Sequence, residues 1–172
     1  PDNPDPYISL GVIYKDLGQL DRALTATLKS LELNPYNPTA YINLGGIHKD
    51  LGQLDQALAA TLKSLELNPE NPTAHTNLGG IYKDLEQLDK ALVATLKSLE
   101  LNPDNATAHI NLGGIYKDLD RLEEAETITK KALFLKEDFS DAHLLLANIL
   151  LRRGKYNEGL KEELAGAGAI EF

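Results

Sequence analysis

The sequence predicts an all-α solenoid of stacked antiparallel helix pairs, and three observations carry that expectation. The first is a period. Leu44-Gly45-Gly46-Ile47-His48-Lys49-Asp50-Leu51 returns as Leu78-Gly79-Gly80-Ile81-Tyr82-Lys83-Asp84-Leu85 and again as Leu112-Gly113-Gly114-Ile115-Tyr116-Lys117-Asp118-Leu119, equal steps of 34 residues from 44 to 78 and from 78 to 112. A fixed period of this size marks units that cannot bury their apolar faces alone and must stack. The second is helical spacing inside the unit, with Leu44, Ile47, His48 and Leu51 at i, i+3, i+4 and i+7. The third is punctuation: Asn34-Pro35, Asn37-Pro38, Asn68-Pro69, Asn71-Pro72 and Asn102-Pro103 fall between the apolar runs, where the residue before a proline is pushed out of the helical region.

Registered on the recurrent Leu-Gly pair, the units run 4–37, 38–71, 72–105 and 106–139, followed by a divergent unit at 140–164. In the second unit the amphipathic helix is expected to end at Gly52, a residue free to adopt the left-handed conformation. Asp55 is placed to cap a second helix carrying Leu54, Ala57, Leu58, Leu62 and Leu65 on one side. Asn68-Pro69 then stops the chain, Asn71 caps the next unit, and Pro72 takes the first helical position, where its missing N–H costs nothing. The fourth boundary has Lys136-Glu137-Asp138 instead of Asn-Pro, so a less sharp join is expected there. Residues 165–172 read as a tail: Ala165-Gly166-Ala167-Gly168-Ala169 as a flexible tether, then apolar Ile170 and Phe172, either docking into a groove or belonging to a disordered end or a further domain.

Composition narrows the partners. A formal net charge of −9 and a sequence pI near 4.9 argue against nucleic acid and anionic membrane surfaces, which need clustered Lys and Arg. A neutral or basic protein fits better. Cysteine is absent, which removes disulfides, thiolate nucleophiles and thiolate metal sites and makes the cytoplasm the expected compartment. No run approaches the roughly 18 apolar residues that cross a bilayer. The lack of any methionine, even at position 1, reads as a piece of a longer protein.

These units resemble the tetratricopeptide repeat, a helix-turn-helix family of 34 residues. Its fourth, seventh, eighth, eleventh, twentieth and thirty-second places correspond to Tyr41, Leu44, Gly45, His48, Ala57 and Pro69, and in the next unit to His75, Leu78, Gly79, Tyr82, Ala91 and Pro103. Departures fall where the family has an aromatic and an alanine: here stand Thr27, Thr61 and Thr95, and Ser30, Ser64 and Ser98, fillers that predict tighter and less apolar packing. The resemblance implies a right-handed superhelix in which first helices line a concave groove and second helices form the convex back, and in which the groove binds peptides or protein segments.

At about 100° per residue, the face of the first helix opposite its Leu and Tyr side holds Thr39, Ile42, Asn43, Gly46, Lys49 and Asp50. Thr73, Thr76, Asn77, Gly80, Lys83 and Asp84 repeat it, as do Thr107, Ile110, Asn111, Gly114, Lys117 and Asp118. The asparagine amides either donate to and accept from an extended peptide backbone or stay solvated. The superhelix of O-GlcNAc transferases has an asparagine ladder at the matching place. Glycine inside a helix costs about 1 kcal/mol relative to alanine, so Gly45-Gly46 and its copies need a compensating benefit. The first glycine is expected to permit close helix packing, and the second either to let a ligand reach the backbone or to be a copied, tolerated residue. The adjacent Lys and Asp cancel in charge and read mainly as a solvated stripe. In related proteins Lys and Arg at early groove positions clamp heat-shock chaperone tails; Ile42, Thr76 and Ile110 in those places disfavour that partner. In the last unit Leu144, Leu145, Asn148 and Leu151 occupy the corresponding face and predict an oily end to the groove.

Catalysis and cofactors find no support in the pattern. His75, His109 and His143 recur one per unit, too far apart to share a metal when packed helices stand about 8–10 Å from one another, and they read as packing residues in the place of Tyr7 and Tyr41. Glu123-Glu124 and Glu162-Glu163 fall at helix starts or exposed faces. The expected function is therefore a non-catalytic scaffold for protein or peptide. Two alternatives stand beside it: the substrate-recruiting arm of a larger enzyme such as a glycosyltransferase, and a self-associating module using the terminal units or residues 166–172.

Overall fold

The computed structural model describes residues 3–168 as a row of helices joined by short turns. The Ile170 and Phe172 end of the tail lies outside the described residues. Each unit is a helix pair: α1 Asp5–Asp16 with α2 Leu20–Leu33, α3 Pro38–Asp50 with α4 Leu54–Leu67, α5 Pro72–Asp84 with α6 Leu88–Leu101, α7 Ala106–Asp118 with α8 Leu122–Leu135, and α9 Ser140–Arg152 with α10 Tyr156–Gly166. Helix α10 thus includes Ala165 and Gly166, two residues that the sequence places in a tether.

Local chemistry sets the ends of the helices. Asn37 Oδ1 accepts from the amides of Thr39 and Ala40, Asn71 Oδ1 from Ala74, and Asn105 Oδ1 from Ala108, so each asparagine satisfies donors that the first helical turn leaves unpaired. Asn34, Asn68 and Asn102 are extended and end the second helices. Gly18 and Gly52 adopt the left-handed conformation at φ 69° and 72°, as the sequence anticipates; Glu86 and Asp120 are held there too, at φ 59°, where a side chain is disfavoured. One expectation is corrected: Asp55 is not a cap. Gln53 occupies the cap position without a side-chain bond to the amides of α4, and Asp55 lies in the first turn of that helix, where its charge meets the positive end of the helix dipole.

The stacking order follows from which helices touch. Each second helix packs on its own first helix, α2, α4, α6 and α8 pack also on the first helix of the next unit, and first helices touch one another, α1 on α3, α3 on α5, α5 on α7 and α7 on α9. Second helices of neighbouring units do not touch among the described residues. First helices therefore form the tighter inner row and second helices the wider outer row. Ala23, Ala57, Ala91 and Ala125 are fully buried in the second helices, as are Ile47, Ile81 and Ile115 in the first.

Within each pair a glycine meets a threonine. A methyl group placed on Gly11, Gly45, Gly79 or Gly113 would overlap Oγ1 of Thr27, Thr61, Thr95 or Thr129 respectively, and all four threonines are fully buried. That approach is the benefit which offsets glycine's cost in the helix. The threonine in place of the family's aromatic is thus the partner of the glycine, and the two helices close directly upon each other.

Candidate functional site

The inner row is built from three inter-unit contacts that repeat along it. Lys15 Nζ reaches Asp50 at 3.0 Å and Lys49 Nζ reaches Asp84 at 3.2 Å, each from one first helix to the next. The lysine stem crosses the second glycine of the receiving helix: a methyl on Gly46 would stand 3.2 Å from Lys15 Cε, one on Gly80 would stand 3.3 Å from Lys49 Cε, and one on Gly114 would stand 3.5 Å from Lys83 Nζ. Asn77 Nδ2 donates to the carbonyl of Ile42 at 3.4 Å, and Asn111 Nδ2 to the carbonyl of Thr76 at 3.1 Å. Lysine, glycine, aspartate and asparagine together form a joint between neighbouring units.

This geometry revises several sequence readings. The Lys-Asp stripe is not merely solvated, because the lysine of one unit pairs with the aspartate of the next. The second glycine is lidded by a lysine, so it serves the joint; it does not offer bare backbone to a ligand. The asparagine amide nitrogens of Asn77 and Asn111 are already engaged, which leaves their oxygens; Asn43 Nδ2 is buried and has no hydrogen-bond partner. At the third rung the pattern changes, with Lys117 on Asp118 of its own unit at 3.2 Å.

Two further residues assigned to the ligand face are not available to a ligand. Ile42 is 8% exposed and Thr76 is 5% exposed. Thr76 Oγ1 donates to the Pro72 carbonyl at 2.9 Å, accepts from Asn105 Nδ2 at 2.9 Å and lies 2.7 Å from Ser98 Oγ, so this place in the helix looks toward its own second helix. The same holds in the last unit. A methyl on Gly166 would stand 2.9 Å from Leu144 Cγ, and one on Gly159 would stand 2.9 Å from Leu151 Cγ; these leucines pack on α10, although Leu144 stays half-exposed. Leu145, in the asparagine place, packs toward the preceding first helix, with its Cδ2 3.4 Å from a methyl on Gly113. Thr39, Thr73, Thr107, Asp50, Asp84, Asp118 and Asn148 are exposed, and Ile110 is half-buried.

The sequence reading missed the joint between the fourth unit and the last. Glu126 of α8 is buried, with 8% of its side chain exposed, and it accepts from Lys130 Nζ at 2.7 Å, from Lys155 Nζ at 3.1 Å and from Arg153 Nη1. Arg153 Nη2 also pairs with Glu123 at 2.9 Å, and Arg152 bonds the Lys117 carbonyl at 3.0 Å and Asp120 at 2.8 Å. Burial pushes the Glu126 carboxyl up, but the hydrogen bonds from Lys130 and Lys155 and their charges outweigh it and bring it down to about 2. A signal was present in the sequence. The places of Glu126 and Arg153 in the other units hold Leu24, Leu58 and Leu92, and Leu17, Leu51, Leu85 and Leu119, so two leucine positions change together into opposite charges.

Among the described residues no group of three or more His, Asp or Glu is arranged to hold a metal ion, and no helix is long and apolar enough to cross a membrane.

Comparisons with known proteins agree with this architecture. Family profiles described as TPR repeat match residues 11–52 and 46–85, and profiles described as tetratricopeptide repeat match residues 72–105 and 94–127. No curated protein matches the chain in sequence. Among solved structures it is similar to TTC0263, a thermophilic TPR protein of Thermus thermophilus, with a TM-score of 0.87 and 27% identity over 96% of this chain and 92% of that one. It shares its fold with pilF of Pseudomonas aeruginosa, with a TM-score of 0.80 and 22% identity over 98% of this chain and 77% of that one. It also shares it with MamA of Desulfovibrio magneticus RS-1, with a TM-score of 0.73 and 20% identity over 98% and 96% of the two chains. With family profiles matched from residue 11 to residue 127 and a helix pair in every unit, the chain belongs to the tetratricopeptide repeat family.

Proposed function

We propose that the chain is a non-catalytic scaffold that holds an extended protein segment along the inner row of first helices. The observation that carries this reading is the recurrence, in each of the three middle units, of exposed Thr39, Thr73 and Thr107 on helices that pack side by side. Among the described residues the oxygens of Asn77 and Asn111 accept no hydrogen bond, so they can serve as acceptors for a ligand N–H, while the Lys-Asp joints keep the row close to neutral. The ligand favoured is thus a backbone read through hydrogen bonds, without a strong charge. The test is binding to an array of unstructured peptides. Replacing Thr39, Thr73 and Thr107 by arginine is expected to abolish binding, and replacing Leu28, Leu62 and Leu96 on the outer row by arginine to preserve it. Unchanged binding by the inner-row variant refutes the proposal.

A second reading, self-association through an end face, rests on a separate observation. Ile13 is 52% exposed in α1, whereas Ile47, Ile81 and Ile115 are 0% exposed in the units behind it. Such an apolar end is a surface for another helix. The joint there differs from the internal one, because Ser9 and Val12 stand in the places of the asparagine and the second glycine. Sedimentation velocity across a wide concentration range tests it: association weakened by Ile13→Glu is expected, and a monomer at every concentration sinks it.

A further inference from the structure

Lys15, Lys49, Lys83 and Lys117 stand at one place in successive first helices, and three of the four have a carboxylate. Lys15 pairs with Asp50 and Lys49 with Asp84, each across a joint, and Lys117 pairs with Asp118 of its own helix. Lys83 has no ion pair or hydrogen bond among the described residues. Its stem also lies differently. Lys15 and Lys49 cross the second glycine of the next helix with Cε and run on to the aspartate, whereas Lys83 ends there, with Nζ at 3.5 Å and Cδ at 3.6 Å from a methyl on Gly114. The cause lies one unit further on. Arg152 stands where the other units have Asp16, Asp50, Asp84 and Asp118; it donates to the Lys117 carbonyl at 3.0 Å and pairs with Asp120 at 2.8 Å. Lys117 therefore has a cation in the place where Lys15 and Lys49 have a carboxylate, and like charges repel. It turns back onto Asp118, the residue that would otherwise receive Lys83.

We propose that Lys83 takes a carboxylate of the extended segment bound along this row, a role that rests on the groove binding proposed above and adds to it the one position read by charge. An ammonium without a partner in its own chain keeps its attraction for a ligand anion, while Lys15, Lys49 and Lys117 are neutralised. The aspartates of the two helices that Lys83 spans, Asp84 and Asp118, are held by Lys49 and Lys117, so no free acid of this row opposes the incoming group there. Asn111 lies one turn before Gly114 on α7, with Nδ2 spent on the Thr76 carbonyl at 3.1 Å and Oδ1 open. A segment crossing α7 donates a backbone N–H to Asn111 Oδ1 and sets its carboxylate on Lys83, one turn along the same face. A Glu or Asp side chain and a chain end present the same group.

The test is fluorescence anisotropy of the full chain with labelled, unstructured peptides of about twelve residues, long enough at about 3.4 Å each to run past five first helices about 8–10 Å apart. Each set holds a peptide with a central Glu and an amidated end, its Gln twin, and the Gln twin with a free C-terminal carboxylate. Carboxylate members are expected to bind about two- to fivefold tighter than the amidated Gln twin, the scale of a partly exposed ion pair, with the difference gone at about 1 M salt. A gain confined to the Glu member assigns a side chain, and one confined to the free-ended twin assigns a chain end. Lys83→Gln should erase the gain without weakening the Gln twin, and Lys131→Gln, an equal change of charge on exposed α8, should keep it. Arg152→Asp restores the aspartate of the other units and should also erase it, because Lys117 and Lys83 then regain their partners. The proposal is overturned if the gain survives Lys83→Gln or Arg152→Asp, or falls equally in Lys131→Gln. Members of a set that bind alike overturn it too, while groove binding stands if arginine at 39, 73 and 107 still abolishes their binding; a chain that binds no set overturns both.

Discussion

Glu126 is where a single atom change should have the largest readable effect on stability. Its carboxyl, ordinarily near 4.5, is brought to about 2 in the folded chain. A fall of that size corresponds to about 3 kcal/mol of preference for the charged, folded form. Because the folded value is depressed, this stabilisation is complete above the unfolded value, at about pH 5 and higher, and is lost as pH falls toward about 2. Glu126→Gln keeps the shape and removes the titration, and at neutral pH it leaves Arg153 and Lys155 facing a neutral amide.

Urea unfolding of both proteins at a series of pH values gives the comparison directly, since every other carboxyl titrates in both and cancels. The unmodified chain should exceed Glu126→Gln by about 3 kcal/mol at neutral pH, and the difference should shrink steadily below about pH 5. A difference that stays constant into acid would refute the argument, because it would show that the cations do not favour the ionised form. A second comparison separates charge from packing. Glu126→Leu combined with Arg153→Leu restores the leucines of the other units, and replacement of a buried ion pair by apolar residues is often neutral or better. The double variant should therefore be about 2 kcal/mol or more above either single variant, each of which leaves a buried charge or contact unmatched.

The two glycines of each pair should respond in opposite directions. Gly79→Ala drives a methyl into Thr95 Oγ1 and to 3.3 Å from the Thr95 backbone nitrogen, and overpacking of this kind costs about 1–3 kcal/mol. Gly80→Ala meets only the stem of Lys49 and the Asn111 amide, at 3.3 and 3.5 Å, so the gain in helix propensity of up to about 1 kcal/mol should prevail; denaturation midpoints that place the two variants together would contradict this. Glu86→Gly should stabilise by about 0.5–1 kcal/mol, because it relieves a left-handed residue at φ 59° where Gly18 and Gly52 already stand in other units. Thermal melts that show a loss would count against that strain.

The fold was legible because the signals that specify it are local and repeated. Leu44, Ile47 and Leu51 mark a helix face by spacing, and Asn71-Pro72 marks a helix start by the chemistry of its amide and ring. What each inner-row side chain touches was not legible to the same degree. Helical periodicity places Thr76, Asn77, Gly80 and Lys83 on one face to within a turn, but a difference of tens of degrees decides whether a side chain meets solvent, its own second helix or the next unit. Thr76 meets Ser98, Asn77 meets the Ile42 carbonyl, and Lys49 crosses Gly80 to reach Asp84. The Glu126 cluster was missed for another reason: its partners in the last unit, Arg153 and Lys155, lie 27 and 29 residues away, and only the simultaneous loss of two leucines from the repeat betrays it.

The joint also bears on how a ligand would be held. Side chains that alternate between solvent and a ligand must be ordered on binding, at a cost of about 0.5–1.5 kcal/mol for each long one. Lys15 and Lys49 are already fixed across the next helix by Asp50 and Asp84, and Asn77 and Asn111 are fixed by a carbonyl of the preceding one. The inner row therefore enters any complex with much of that ordering complete, and the exposed threonines at 39, 73 and 107 are short and β-branched, with little freedom to lose. In the proposed complex, residues that looked like ligand contacts in the sequence would contribute indirectly, because they hold the spacing and orientation of the helices on which the threonines are carried.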